Sequence, residues 1–457
     1  SNRPLIGLLL AEFLGAFNDH AWKMVVALLS IRAATAGIAP GTPAFETVSQ
    51  SQATIAFVVY TLPLAIFSLP AGPLADRLSK RSVIVWLKMF EVLVLLGGTL
   101  SLAFGGSIWP LFAALGLMSF QSALYSPSKY GIIPELVPHE KLAHANGLLE
   151  MWTFLAIIVG TALGGLLLDV SGNTPWIAGA VLTLCATGGW AASLMIPKVQ
   201  PATTESVGIV ESIRDAWAII SADRVLRLSV MGSILFWGIV SLLGQDILVY
   251  AKAITAGSAN SDTISGLPMA FYGIGVAGGS MLAARLSRQM VEYGLIPLGS
   301  LGIALFTLLF GLFGPGIAGT LLVMMLLGIS SGLILVPLDS IMQWRSPAHR
   351  RGAVIALANV FIFGGTVAGS LGAGVLAQSG LDARQIILAT AILTTGGTLW
   401  ALWLLPDFLL RLIIVITTNI FYRLTIVDGR HVPLTGGALL VSNHVSFIDG
   451  FLVIAST

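Results

Sequence analysis

Glu12, Asp19 and Lys23 stand at i, i+7 and i+11 in a long apolar run, a spacing that puts all three on one face of a helix. Asn18 and His20 flank that stripe. Asp19 and Lys23, four apart, are spaced to pair along the helix, as are Lys88 and Glu91, three apart in a later run. An ionisable side chain at a bilayer centre costs about 2.5–3.5 kcal/mol on insertion scales, so each needs a reason. One reading is that pairing merely lowers this cost. The other is that the stripe faces protein or a water-filled cavity. The available chemistry is recognition: lysines suit a phosphate and carboxylates an ammonium, and a zwitterionic headgroup needs both. Lys129 and Glu150 lie near the ends of two further runs, and Lys129 is placed to snorkel to the interface. Asp246, beside Gln245, lies toward one end of a run in the second half of the chain, with Asp339 near the opposite end of a later run.

The elements that must carry these residues follow from composition. Hydrophobic residues make up 56% of the 457 and charged ones only 10%, and mean hydropathy is +0.93. A soluble domain could not hide that apolar surface, so the expectation is an all-α polytopic membrane protein. Twelve runs are long enough to span: 5–31, 52–74, 82–104, 110–132, 147–169, 176–196, 226–250, 267–286, 295–314, 319–344, 352–378 and 385–405. The first reads as a span and not a cleavable leader. Arg77, Lys80, Arg81, Arg224, Arg227, Arg345 and Arg350 gather at one set of ends; Arg32, Lys252 and Arg384 fall at the other. That bias makes the first set, and both termini, cytoplasmic. Cys185 is the one cysteine, so no intrachain disulfide forms.

The expected organisation is a six-helix bundle at 1–196, a linker at 197–225, a second six-helix bundle at 226–405 and a further segment at 406–457. In the linker Val210, Ile213, Trp217 and Ile220 share one helical face, as in a surface-lying amphipathic helix. Residues 408–422 are apolar but short, as in an interfacial or re-entrant helix. Beyond them Pro433, Gly436 and Gly437 and the strand-like run 438–442 read as the start of an α/β domain. An internal repeat joins the two bundles. Residues 74–81 read against 282–289 at an offset of about 208, and Gly160-Thr-Ala-Leu-Gly164 against Gly365-Thr-Val-Ala-Gly369 at about 205.

The turn at 72–81 has the pattern G-x-L-A-D-R-x-x-x-R. It resembles the signature loop between the second and third helices of the major facilitator superfamily, with Ser79 where that family usually has Gly. The resemblance implies two parallel halves and a gating role for Gly72, Asp76, Arg77 and Arg81; Ala284 replaces the acid in the second copy. The run 13–23, FLGAFNDHAWK, is similar to the first helix of bacterial lysophospholipid transporters, a branch of the same superfamily, with His20 where Asn is usual and Trp22 for Phe. This implies facilitated movement of lysophospholipids from the outer to the inner leaflet of a Gram-negative inner membrane. Glu12, Asn18, Asp19, Lys23, Lys88, Glu91 and Asp246 are the candidate substrate-binding residues.

Finally, Asn443-His-Val-Ser-Phe-Ile-Asp449 resembles the first motif of glycerolipid acyltransferases, N-H-x-S-x-x-D. The resemblance implies that His444 deprotonates a lysolipid hydroxyl and Asp449 orients the imidazole, with acyl-CoA or an acyl carrier protein as donor. That family's later motifs are expected beyond Thr457, so these 457 residues should transport but not acylate. The competing reading of His444 is a surface residue in a loop. The competing functions are a proton-coupled drug exporter and a membrane anchor for an acyltransferase. The fused tail argues against the first and the buried charges against the second. A monomer in a lipid membrane is expected, with no cofactor, metal or nucleic-acid partner.

Overall fold

The computed structural model describes residues 3–105, 107–137, 142–198, 208–258, 260–286, 292–347, 350–421 and 450, some of them, 72–77 included, by backbone alone. Six helices come first: α1 (Arg3–Ala34), α2 (Pro43–Arg77), α3 (Lys80–Phe104), α4 (Trp109–Leu136), α5 (Leu142–Ser171) and α6 (Trp176–Ser193). A short α7 (Ile209–Ala222) leads to α8 (Arg224–Ile254), α9 (Ser261–Leu286), α10 (Leu295–Phe313), α11 (Ile317–Arg345), α12 (Arg351–Gln378) and α13 (Ala383–Leu404). The last described helix is α14 (Pro406–Phe421). Each expected span coincides, to within a few residues at most ends, with one long helix. Ten of the helices are long and apolar enough to cross a membrane. The two long ones that miss this standard are α1, interrupted by Asn18, Asp19, His20 and Lys23, and α4, which carries Ser119, Gln121 and Ser122 in its middle.

The internal repeat is visible in the packing. Helix α1 packs on α5, α2 on α4 and α3 on α6; α8 packs on α12, α9 on α11 and α10 on α13. The second set is the first advanced by seven helices. The paired glycine motifs do the same job in each set. A Cβ on Gly164 would come within 2.8 Å of the Ala21 carbonyl oxygen, and one on Gly365 within 2.7 Å of that of Ile234. Small residues at this spacing let two backbones approach closely, here α5 on α1 and α12 on α8. The two sets meet through α2 against α12 and α5 against α9.

Helix α7 docks on the second set, and its buried face differs from the expected one. Ala216 and Ile220 are buried with Ile213 against Leu226, Val354 and Leu357, whereas Val210 and Trp217 are 80% and 55% exposed. The helix is turned so that Ala216, and not Trp217, faces the second set. Ion pairs Arg350–Asp215 (2.9 Å) and Arg345–Asp223 (2.8 Å) hold the junction. Helix α14 lies across the ends of α10 and α13, with Leu412 buried, the Phe408 carbonyl against Gly294, and Arg411 3.5 Å from Glu292. The strand-like run 438–442 and the motif at 443–449 fall outside the described residues.

Candidate functional site

The interior of the first helical set is ionic. Glu12 Oε1 accepts hydrogen bonds from Lys129 Nζ (2.6 Å) and Thr153 Oγ1 (2.9 Å). Glu91 accepts from Lys88 Nζ on one oxygen and from Asn18 Nδ2 on the other, each at 2.9 Å. The Lys88 ammonium also lies 4.7 Å from the centre of the Tyr125 ring. Ser122 Oγ donates to Asp19 Oδ2. Lys88 and Glu91 are 2% and 1% exposed, so this is a fully desolvated pair that must be matched by hydrogen bonds to be tolerable. The backbone makes room for it: a Cβ on Gly15 would collide with Lys88 Nζ. Four helices, α1, α3, α4 and α5, thus share one network.

Lys23 stands apart from it. The expected Asp19–Lys23 pair does not form. The Lys23 ammonium instead turns to α2, 4.5 Å from the Tyr60 ring centre and 5.2 Å from that of Phe57. It lies 3.5 Å from His20 Nδ1, and the Tyr60 hydroxyl lies 3.5 Å from His20 Nε2. Among the described residues no carboxylate reaches Lys23. A half-buried cation set between aromatic faces and an imidazole has the chemistry to take an anion. Its place is the seam between the sets, because the Phe57 ring approaches within 3.8 Å of where a Cβ on Gly244 of α8 would stand.

Of the expected binding residues, then, Glu12, Asn18, Asp19, Lys88 and Glu91 come together, with Lys23 alongside but facing elsewhere. Lys129, expected to snorkel, is instead 8% exposed and turned inward on Glu12, since a buried carboxylate within reach outweighs the pull of the interface. Asp246 is fully buried in α8, and neither of its oxygens has a partner among the described residues. Leu242, one turn earlier, packs on Ala373 and Ala377 of α12, so Asp246 lies on a different face of α8 from the Phe57 seam. Arg81 Nε donates to the Ile196 carbonyl at 2.7 Å, and Lys80 pairs with Glu135. The side chains of Gly72, Asp76, Arg77 and Glu150, and all of His444 and Asp449, lie outside what is described.

Several functional partners escape the sequence pattern. Tyr60, Phe57, Ser122 and Thr153 carry no charge to flag them. A second group lies at the helix ends away from the basic cluster. Asp262 at the start of α9 pairs with Arg32 of α1 and Lys252 of α8. Asp169 Oδ2 of α5 accepts from both the backbone nitrogen and the hydroxyl of Thr263, each at 2.6 Å. Glu46 Oε2 of α2 accepts from Ala383 N at 2.8 Å. All of these but Lys252–Asp262 cross from one helical set to the other. Opposite charges at span ends on one predicted face were the available signal.

Comparison with known proteins adds to this geometry. The family model described as Major Facilitator Superfamily matches residues 4–370. The lysophospholipid transporter LplT of Cronobacter sakazakii is 29% identical over 368 residues, covering 79% of this chain and 85% of that protein. Its counterpart in Photorhabdus laumondii is 28% identical over 411 residues, covering 88% and 94%. That of Pectobacterium carotovorum is 30% identical over 370 residues, covering 79% and 83%. Among solved structures, a POT family transporter in complex with a thioalcohol conjugated peptide superposes with TM-score 0.67 at 13% identity, covering 89% of this chain and 96% of that one. The nucleoside transporter NupG gives 0.65 at 13% identity, covering 87% and 99%. At such identities the structures speak for the fold alone.

Proposed function

We propose that this chain, which belongs to the Major Facilitator Superfamily, is a lysophospholipid transporter that works by alternating access between its two helical sets. All twelve long helices cross the membrane in this reading, α1 and α4 included, because their polar residues face protein and not lipid. The halves are 1–196 and 226–405, joined by 197–225, and the positive-inside bias sets the basic ends and both termini in the cytoplasm of a bacterial cell, in its inner membrane. The protein acts as a monomer.

The observation that carries the reading is Lys23. It is an intramembrane cation with no carboxylate partner among the described residues, set on aromatic faces at the seam where the halves meet. A lysolipid phosphate supplies the missing charge there. The Glu12–Lys129 and Lys88–Glu91–Asn18 network holds α1 in register, and Asp19 sits between network and site with one oxygen still free to accept. Asp246 is the acid offered by the second half when the halves rearrange. Gly72, Asp76, Arg77 and Arg81 form the cytoplasmic gate. The segment 406–457 begins an acyltransferase domain, with His444 as base and Asp449 as its orienting acid, so that lysolipid delivered to the inner leaflet is re-acylated by acyl-CoA or acyl carrier protein.

Uptake of radiolabelled lysophosphatidylethanolamine into spheroplasts tests the central point. Lys23→Ala should abolish uptake with the protein still folded in the membrane, and Lys23→Arg should retain part of it, since a guanidinium also binds phosphate. Wild-type flux in Lys23→Ala would refute the assignment.

A further inference from the structure

The second helical set holds a cavity of about 510 Å³ that the proposed transport path does not use. It is walled by α8, α10, α11 and α13, with Phe408 of α14 and Tyr293 at its mouth. These four helices correspond, seven positions on, to α1, α3, α4 and α6. Where the first set fills its interior with an ionic network, the second leaves a space.

The wall is apolar in effect. Phe236, Ile303, Ile334 and Leu338 line it, and the hydroxyl protons of its serines and threonines are already committed to backbone carbonyls. Ser229 donates to Val225 O, Ser300 to Pro297 O, Thr394 to Ala391 O and Thr398 to Ser300 O. Such a wall offers water few partners and suits an apolar occupant. From Arg224 to Ile239 the lining runs about 22 Å along α8 at 1.5 Å per residue, a slot along the membrane normal that is long and narrow. At the mouth Arg224 is exposed and has no ion pair or side-chain hydrogen bond among the described residues, unlike its neighbours: Arg227 donates to Ser221 O, Arg345 pairs with Asp223 and Arg411 with Glu292. An apolar slot with one free guanidinium at its rim is complementary to a single chain that ends in a phosphate.

We propose that this cavity is a second lipid site, holding the acyl chain of one lysophospholipid with its phosphate on Arg224. The choice of lysolipid rests on the transport reading; the single chain and the phosphate rest on the cavity.

Photocrosslinking tests this without flux, so that loss of transport and loss of this site are read separately. The purified 457-residue chain is irradiated with lysophosphatidylethanolamine carrying a diazirine at the chain end, and adducts are mapped by mass spectrometry. Adducts are expected at the deep end, on Phe236, Ile303 or Ile334. Gly232→Trp, which fills the slot opposite Leu338, should remove them. Arg224→Glu, at an exposed position where folding is not at stake, should lower them about tenfold at sub-saturating probe, the worth of one charge-assisted contact, while Arg224→Lys retains them. Excess lysophosphatidylethanolamine should compete and a chain-matched fatty alcohol should not. Adducts confined to outward residues such as Phe313 and Trp403, equal labelling in Arg224→Glu, or equal competition by the alcohol would each overturn the proposal.

Discussion

Lys88 and Lys23 show how differently one residue type behaves in one helical bundle. Lys88 is enclosed, paired and braced; breaking a buried pair by removing one partner costs about 3–5 kcal/mol, because the other charge is left uncompensated. Gly15 is part of that arrangement. Gly15→Ala should displace the Lys88 ammonium from Glu91 and destabilise the protein by about 1–3 kcal/mol, the usual range for overpacking, read as a lower melting temperature in detergent. In a background where Lys88→Met and Glu91→Leu remove both charges, Gly15→Ala should be nearly silent; an undiminished loss there would mean the glycine serves some other contact. The charges of the stripe were legible from their spacing, and their partners were not. Glu12, Asp19 and Lys23 do project to one side of α1, but over eleven residues that side crosses α5, α4 and α2 in turn. A helical face is a property of the residue positions; a partner is set by crossing angles, which spacing does not encode. Lys129 was misjudged for the same reason, since only packing brings Glu12 within its reach.

At the scale of elements, the long helices were readable because twenty apolar residues have one stable solution in lipid, and most of the expected ends fall within a few residues of the observed ones. The orientation of α7 was less readable, because an amphipathic helix can roll by one residue to seat a smaller side chain. Its junction with α8 carries a pH-sensitive device. Burial alone would raise the Asp223 carboxyl, but the amides of Leu226 and Val225 and the Arg345 guanidinium hold it below the usual carboxylate value. A group whose folded value is depressed contributes stability that is present above its unfolded value, about 3.9, and lost as pH falls through the folded one. Amide exchange in the first turn of α8 should therefore accelerate as pH is lowered below about 4, after correction for intrinsic rates, and Asp223→Asn should flatten that response. An unchanged profile in the mutant would assign the effect to other acids. The pair is largely solvent-exposed, so the effect should be local fraying and not global unfolding.

At the scale of the whole molecule, the described ion pairs are asymmetric. Among the described residues, each pair at the basic ends stays within one helical set or ties α7 or α14 to the second set, whereas at the opposite ends Arg32 crosses from the first set to Asp262 of the second. Asp169 to Thr263 and Glu46 to Ala383 N cross there too. Among the described residues the polar contacts that join the two sets lie at the Arg32 side, and we propose that this arrangement is sealed there. In the proposed orientation that side is periplasmic. Asp262 is the centre of the seal, since it answers both Arg32 and Lys252. Asp262→Ala leaves two cations facing each other and should open the seal. The expected result is labelling from outside the cell, by an impermeant maleimide, of a cysteine placed at Thr161 in a cysteine-free background, several-fold faster than in the Asp262 parent. Lysolipid flux should fall in parallel, because a carrier that cannot close one side cannot complete its cycle. The pairing itself can be tested by charge reversal: Arg32→Asp with Asp262→Arg should restore slow labelling where either single change does not. If labelling is equally slow in Asp262→Ala, the Asp169–Thr263 and Glu46–Ala383 bonds hold the seal without it, and the asymmetry of charge is not what closes the molecule.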